Sequence, residues 1–176
     1  MHQWIGVNFM TNKSKNRIGK GVTFRAAVQS IPALRFCQGL QALQAGDRKQ
    51  IIVEKPRCIV GSVNIDNCLK SQYPGHSRWD YAVGYKLVNK KQEIIFWIEI
   101  HPAHDKAIDE VIKKREWLSK WLMGEGKALR GLEARYLWIS SGDTQFTPRP
   151  LQSKKLADSK ILYVGSRGYL HRYVEK

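Results

Sequence analysis

Hydrophobic and polar positions alternate along this chain in two rhythms, a helical one and a strand-like one. Between Ser30 and Gly46 the apolar residues Ile31, Leu34, Cys37, Leu40 and Leu43 recur at helical spacing. Ser30 suits an N-cap, Pro32 a first turn and Gly46 a C′ position, so the pattern predicts one helix of about four turns. Short β-prone runs follow at Ile51–Glu54 and Cys58–Val63. Residues Asp66–Ser71 read as a turn or short helix, which Pro74-Gly75 ends.

Two stronger strands come next. In Trp79–Leu87 one face would carry Trp79, Tyr81, Val83, Tyr85 and Leu87, and the other Asp80, Ala82, Gly84 and Lys86. Asn89-Lys90-Lys91-Gln92 makes the turn into Ile94–Ile100, which is apolar on both faces, as a central strand should be. Its alternation puts Glu99 and His101 on one side. A second helix is predicted over Asp105–Met123. Asp105, Asp109 and Glu110 lie near its start and Lys113, Lys114, Arg115 and Lys120 further on, an order that suits the helix dipole. Ile108, Val111, Ile112, Leu118, Trp121 and Leu122 form its buried stripe. Strands at Arg135–Ser140 and Lys160–Val164 would complete the sheet, with the basic stretch Thr147–Lys155 as a surface loop between them. The sum is an α/β fold, a mixed central sheet flanked by helices, in one domain over residues 1–176.

Composition supports a packed domain. The chain is 43% hydrophobic and 10% aromatic, too apolar for disorder and rich enough for a core without disulfides. No run approaches the ~20 apolar residues that span a bilayer. The first residues lack a basic stretch and a small-residue cleavage site, so no signal peptide is read. Cys37, Cys58 and Cys68 are odd in number and form no CxxC, which suits reduced thiols in a cytoplasmic protein. Charge changes the picture more. Thirty Lys and Arg against 15 Asp and Glu give a formal net charge of +15, and such self-repulsion usually has a polyanion partner. The first 56 residues hold nine basic and two acidic side chains, whereas residues 96–135 hold eight and seven. Nucleic acid is the expected partner, DNA ahead of RNA, and no membrane partner is expected.

Two segments carry this charge in suggestive form. Thr11–Gly21 holds Lys13, Lys15, Arg17 and Lys20 with almost no apolar content, and reads as a mobile basic arm. Its Gly19-Lys20-Gly21 is no phosphate loop, because Ser14 stands where the first Gly belongs and Gly21 where Ser or Thr should follow the Lys. The run Ser166–Tyr173 interleaves Arg167, His171 and Arg172 with Tyr169 and Tyr173, so Arg could meet phosphates while Tyr stacks on a base. Core tyrosines in a terminal strand are the plainer reading of the same run.

The element order, with Asp80 on one strand and Glu99-Ile100-His101 on the next, resembles the PD-(D/E)xK nuclease superfamily. That resemblance implies the restriction-endonuclease-like α-β-β-β-α-β core over roughly residues 30–140. It implies that Asp80 and Glu99 hold Mg²⁺ or Mn²⁺ and that the third motif residue acts on the attacking water. Small Ala82 and Gly84 would leave room beside Asp80. His101 stands where the family has Lys; an imidazole can serve as a base but lacks a fixed charge. Lys113 or Lys114 on the following helix could supply that charge, and Asp66 or Glu54 a further metal ligand. His101-Pro102-Ala103-His104, Cys58, Cys68 and His76 have no zinc-site spacing.

Two functions therefore stay open. One is a metal-dependent nuclease with Asp80, Glu99 and His101 catalytic. The other is a non-catalytic nucleic-acid-binding protein on a nuclease-like scaffold, in which Asp80 pairs structurally with Lys86 or Arg78 and Glu99 and His101 are structural.

Overall fold

The computed structural model describes residues 21–88, 90–142 and 146–174. Lys13, Lys15, Arg17 and Lys20 of the basic arm lie outside them. Helix α1 (Phe24–Gln29) starts where the Thr23 hydroxyl accepts a hydrogen bond from the Ala26 N–H, 3.3 Å away. The elements after it are α2 (Ala45–Arg48), β1 (Ile51–Ile52), β2 (Ile59–Asn64), α3 (Ile65–Leu69), β3 (Tyr81–Lys86) and β4 (Glu93–His101). They continue with α4 (Ala107–Met123), β5 (Glu133–Ser140), α5 (Pro150–Asp158), β6 (Ile161–Tyr163) and β7 (Gly168–Tyr169). Five strands form one mixed sheet in the order β2-β3-β4-β5-β6. The first three are antiparallel neighbours, and β5 and β6 run parallel to β4. Strands β1 and β7 make a separate parallel pair.

Both faces of the sheet are buried. Against one face, Val63, Ala82, Ile95, Trp97 and Trp138 pack with Phe24 of α1, Val111 and Leu118 of α4 and Leu156 of α5. On the other, Val83, Phe96, Ile98 and Ile139 pack with Leu43, Ile51 and Leu170. Strand β4 therefore reads as the continuous apolar run that a two-sided central strand requires.

Three expectations need correction. The Ser30–Gly46 helix does not form: Ser30 is instead the C-cap of α1, and the chain from 30 to 44 runs through turns. Cys37 exchanges two backbone hydrogen bonds with Ser62, of 2.9 and 2.8 Å, which adds it to the exposed edge of β2. The segment then passes around that edge, placing Ile31 on one face and Leu43 on the other. A helix buries one stripe on one face and cannot do this. The Thr147–Lys155 loop also gives way, to α5, where Pro150 opens the helix and the Gln152 side chain caps the Arg149 N–H. Trp79 lies before β3 and packs with Ala82 rather than with Tyr81, because the strand's alternation begins after Asp80.

The space expected beside Asp80 is partly filled. The Phe24 ring lies against Gly84, where a Cβ would sit 2.4 Å from the ring, and the Phe24 N–H donates to Glu93 Oε2 at 2.7 Å. Gly84→Ala should therefore cost about 1–3 kcal/mol of stability through overpacking. A thermal melt unchanged by this substitution would mean that α1 can be moved off the sheet freely.

Candidate active site

Asp80 ends its run one residue before β3, and the β3–β4 register pairs Tyr81 with Ile98. One step further along the same register, Asp80 comes to lie opposite Glu99. Its Oδ2 accepts the Ile100 N–H at 2.9 Å, and its backbone oxygen accepts the Ile65 N–H at 2.8 Å. Asp80 is thus tied to β4 by its side chain and to α3 by its main chain. Glu99 alternates with Ile95 and Trp97, so it faces α4 and has no solvent exposure.

Helix α4 returns antiparallel along β4 and supplies the partner. Lys114 lies between Val111 and Leu118 on the buried stripe of this helix. Its Nζ donates to Asp80 Oδ1 at 3.2 Å and, in a closer contact, to Glu99 Oε1. One turn earlier, Glu110 Oε2 meets His101 Nε2 at 2.8 Å. The other imidazole nitrogen, Nδ1, lies 3.9 Å from Glu99 Oε1. Residues four apart on the helix thus meet residues two apart on the strand.

Burial sets the protonation behaviour. Loss of solvent pushes the Glu99 carboxyl well above the usual range, the neighbouring Asp80 pushes it further, and Lys114 acts against both. Asp80 is also raised by burial, with Lys114 and the Ile100 N–H opposing the shift. For Lys114, burial disfavours the charge, but Glu99 and Asp80 outweigh it and hold the ammonium above its usual value. The ammonium therefore stays protonated at neutral pH.

Two of the residues proposed for cutting chemistry, Asp80 and Glu99, are brought together, and His101 stands beside them. The fixed charge comes from Lys114, whereas Lys113 points to solvent. Glu110 was not singled out by the sequence, although its place one turn before Lys114 would have found it. The supplementary metal ligands are less well placed. Asp66 is held by Arg78 at 2.9 Å, and it lines a polar concavity with Asp80. Glu54 is elsewhere, 3.9 Å from His171. His104 Nδ1 accepts the Ala107 N–H, and Cys58 and Cys68 are free thiols. The terminal arginines do not join the site. Arg167 and Arg172 are exposed, and Arg172 lies over the Tyr169 ring, 4.2 Å from its centroid.

The donor set suits a hard divalent cation in one respect. Glu99 Oε2 is buried and has no hydrogen-bond partner, so a carboxylate oxygen is left to be satisfied. Asp80 and Glu99 would supply two oxygen ligands, and Mg²⁺ or Mn²⁺ commonly keeps several waters beyond such a pair. Among the described residues there is no group of three or more His, Cys, Asp and Glu placed to hold a metal. Comparison of the chain with protein-family models, with curated proteins and with solved structures finds no match.

The raised Glu99 carboxyl has a consequence for stability. Above the ordinary carboxylate value of about 4.3 the unfolded chain has lost a proton that native Glu99 retains, so this group's contribution declines as pH rises towards its folded value. Glu99→Gln should flatten the fall of denaturant-derived stability as pH rises above the ordinary carboxylate value of about 4.3. An unaltered slope would mean that Glu99 does not carry this proton.

Proposed function

We propose that this chain is a metal-dependent nuclease that hydrolyses phosphodiester bonds, with DNA the preferred substrate, on a restriction-endonuclease-like core. What carries the reading is the cross-strand pair Asp80 and Glu99 bridged by Lys114, with Glu99 Oε2 left unpartnered. The order β2, β3, β4, α4, β5 gives support, since it follows the β-β-β-α-β part of the sequence that the motif implies, with α3 inserted between β2 and β3 and without the expected Ser30–Gly46 helix. A cation held by Asp80 and Glu99 would polarise a phosphoryl oxygen and make a bound water more acidic.

The protein's own groups have separable tasks. Lys114 supplies the fixed positive charge that the resemblance places two residues after the second acid, here delivered from α4 instead of β4. It offsets charge developing on the phosphorus-bound oxygens. His101 is a quarter exposed along its side chain and held by Glu110, so its ring can take a proton from water that attacks phosphorus. The P–O bond then breaks, and the leaving oxygen takes up a proton from solvent. Lys13, Lys15, Arg17 and Lys20, with Arg167 and Arg172, are assigned to the phosphate backbone as part of the same proposal. A cytoplasmic location also belongs to it, supported by three free cysteines. Among the described residues no helix is long and apolar enough to cross a membrane.

A second reading has its own observation. Lys114 already pairs with both carboxylates, as in a structural ion triad, and a protein of that kind would bind nucleic acid without cutting it. One experiment separates the two: labelled single- and double-stranded DNA and RNA are incubated with the protein in Mg²⁺, in Mn²⁺ and in EDTA. The nuclease reading expects metal-dependent cleavage, abolished by Glu99→Gln and cut at least about a hundredfold by Lys114→Met, with binding retained. His101→Ala should lower the rate, and His101→Lys should not raise it, because Lys114 already fills that role. Cleavage in EDTA, or cleavage indifferent to Glu99→Gln, would refute the mechanism. Binding without cleavage of any substrate would select the second reading.

A further inference from the structure

A second charged feature lies on the opposite face of the sheet from α4 and at the opposite end of β4 from Glu99. The turn after β3, the start of β5 and the segment after β7 enclose a groove lined by Lys55, Lys90, Arg135, His171 and Arg172. Buried Tyr85 and Leu87 are also among its lining residues. Glu99 lies six positions along β4 from the Glu93 end, about 20 Å at strand rise.

The charges around this groove do not cancel. Glu133 accepts from Arg135 at 2.6 Å, and the Arg135 Nε donates to the Tyr173 oxygen at 3.2 Å, so that pair is internally satisfied. Glu54 reaches only His171, at 3.9 Å, and His171 Nδ1 has no hydrogen-bond partner. Lys55 and Lys90 are exposed and take part in no ion pair among the described residues. Arg172 is exposed beside the Tyr169 ring, a stacking that orients the guanidinium without neutralising it. Three cations, contributed by three separate segments, thus face the single carboxylate of Glu54 around one open groove, which keeps an excess of positive charge. Cations brought by three separate segments to one open groove suit successive phosphates of a strand better than one compact anion, on which the three would need to converge.

We propose that this groove is a second nucleic-acid-binding site, distinct from the Asp80–Glu99 centre, that takes consecutive backbone phosphates on Lys55, Lys90 and Arg172. The inference rests on the reading that the chain binds nucleic acid, but not on its cutting it. A strand seated there lies behind the sheet from the carboxylates, so the protein holds one segment of nucleic acid while presenting its acidic centre to another.

The test uses the full chain in EDTA, so that cleavage plays no part, and a labelled single-stranded DNA of about 20 nucleotides. The variant K55A/K90A/R172A is compared with wild type and with K120A/K127A/R130A, which removes the same charge from exposed positions on and just after α4. The groove variant should bind at least about tenfold more weakly at ~0.1 M salt. Its plot of log K against log salt should be shallower by about two, as three lost single-strand phosphate contacts require. Matching thermal melts establish that all three proteins are folded. Wild-type affinity in the groove variant, or an equal loss and slope change in the α4-side control, would overturn the site. Absence of any salt-dependent binding by wild type would instead remove the nucleic-acid reading, and this site with it.

Discussion

Glu99 is an acid without solvent on a strand of apolar neighbours, and the position of Lys114 makes it tolerable there. Withdrawing each ion from water costs several kcal/mol even after relaxation. A single Lys–carboxylate pair at the 3.2 Å separation of Lys114 and Asp80 returns about 5 kcal/mol at an effective dielectric of about 20. One cation shared by two acids therefore roughly breaks even, and it balances only one of the two negative charges present once Glu99 has lost its proton. Arrangements of this type are poor devices for stability, since an apolar replacement of similar volume does as well or better. Retaining two acids and a lysine in this place makes chemical sense if a further cation completes the balance.

The rest of the fold positions these three groups. Antiparallel register between β3 and β4 brings Asp80 across from Glu99, and the Ile100 N–H fixes the carboxylate. Helix α4 then returns along β4. Four residues of helix advance about 6 Å and two of strand about 6.6 Å, so Glu110 and Lys114 fall in step with His101 and Glu99. The apolar residues around Lys114, with Trp97 and Trp138 beneath, keep water out and raise both carboxyls. On the opposite face the short β1–β7 pair and the C-terminal segment close the second core, leaving Lys55, Lys90 and Arg172 around its rim.

How much of this was legible in the sequence varied with how local the cause was. Strand β4, helix α4 and the turn between β3 and β4 follow from periodicity alone, and each was placed to within two residues. The pair Asp80 and Glu99 was readable because alternation along two adjacent strands fixes their facing. Lys114 had a weaker signal: the stripe Ile108, Val111, Leu118 skips one helical turn, and the residues filling that turn are Lys114 and Arg115. A charged residue at a core position of a helix facing an acidic strand position is a pair waiting to be matched. The region before β1 was misread for a different reason. Ile31 to Leu43 is spaced as a helix would be, yet its residues serve two opposite faces, which only the sheet edge could reveal. Likewise, the groove on the far face joins residues from three distant segments, and no local pattern encodes it.

The central claim is that Asp80 and Glu99 together hold a divalent cation, with Lys114 as their standing counter-ion. Electron paramagnetic resonance of Mn²⁺ titrated into the full chain measures this without reference to substrate or cleavage. The account predicts one saturable site, lost on Asp80→Asn and on Glu99→Gln, and competed by Mg²⁺. Mn²⁺ that stays free in the presence of folded wild type, or a bound signal unaffected by either substitution, would contradict it.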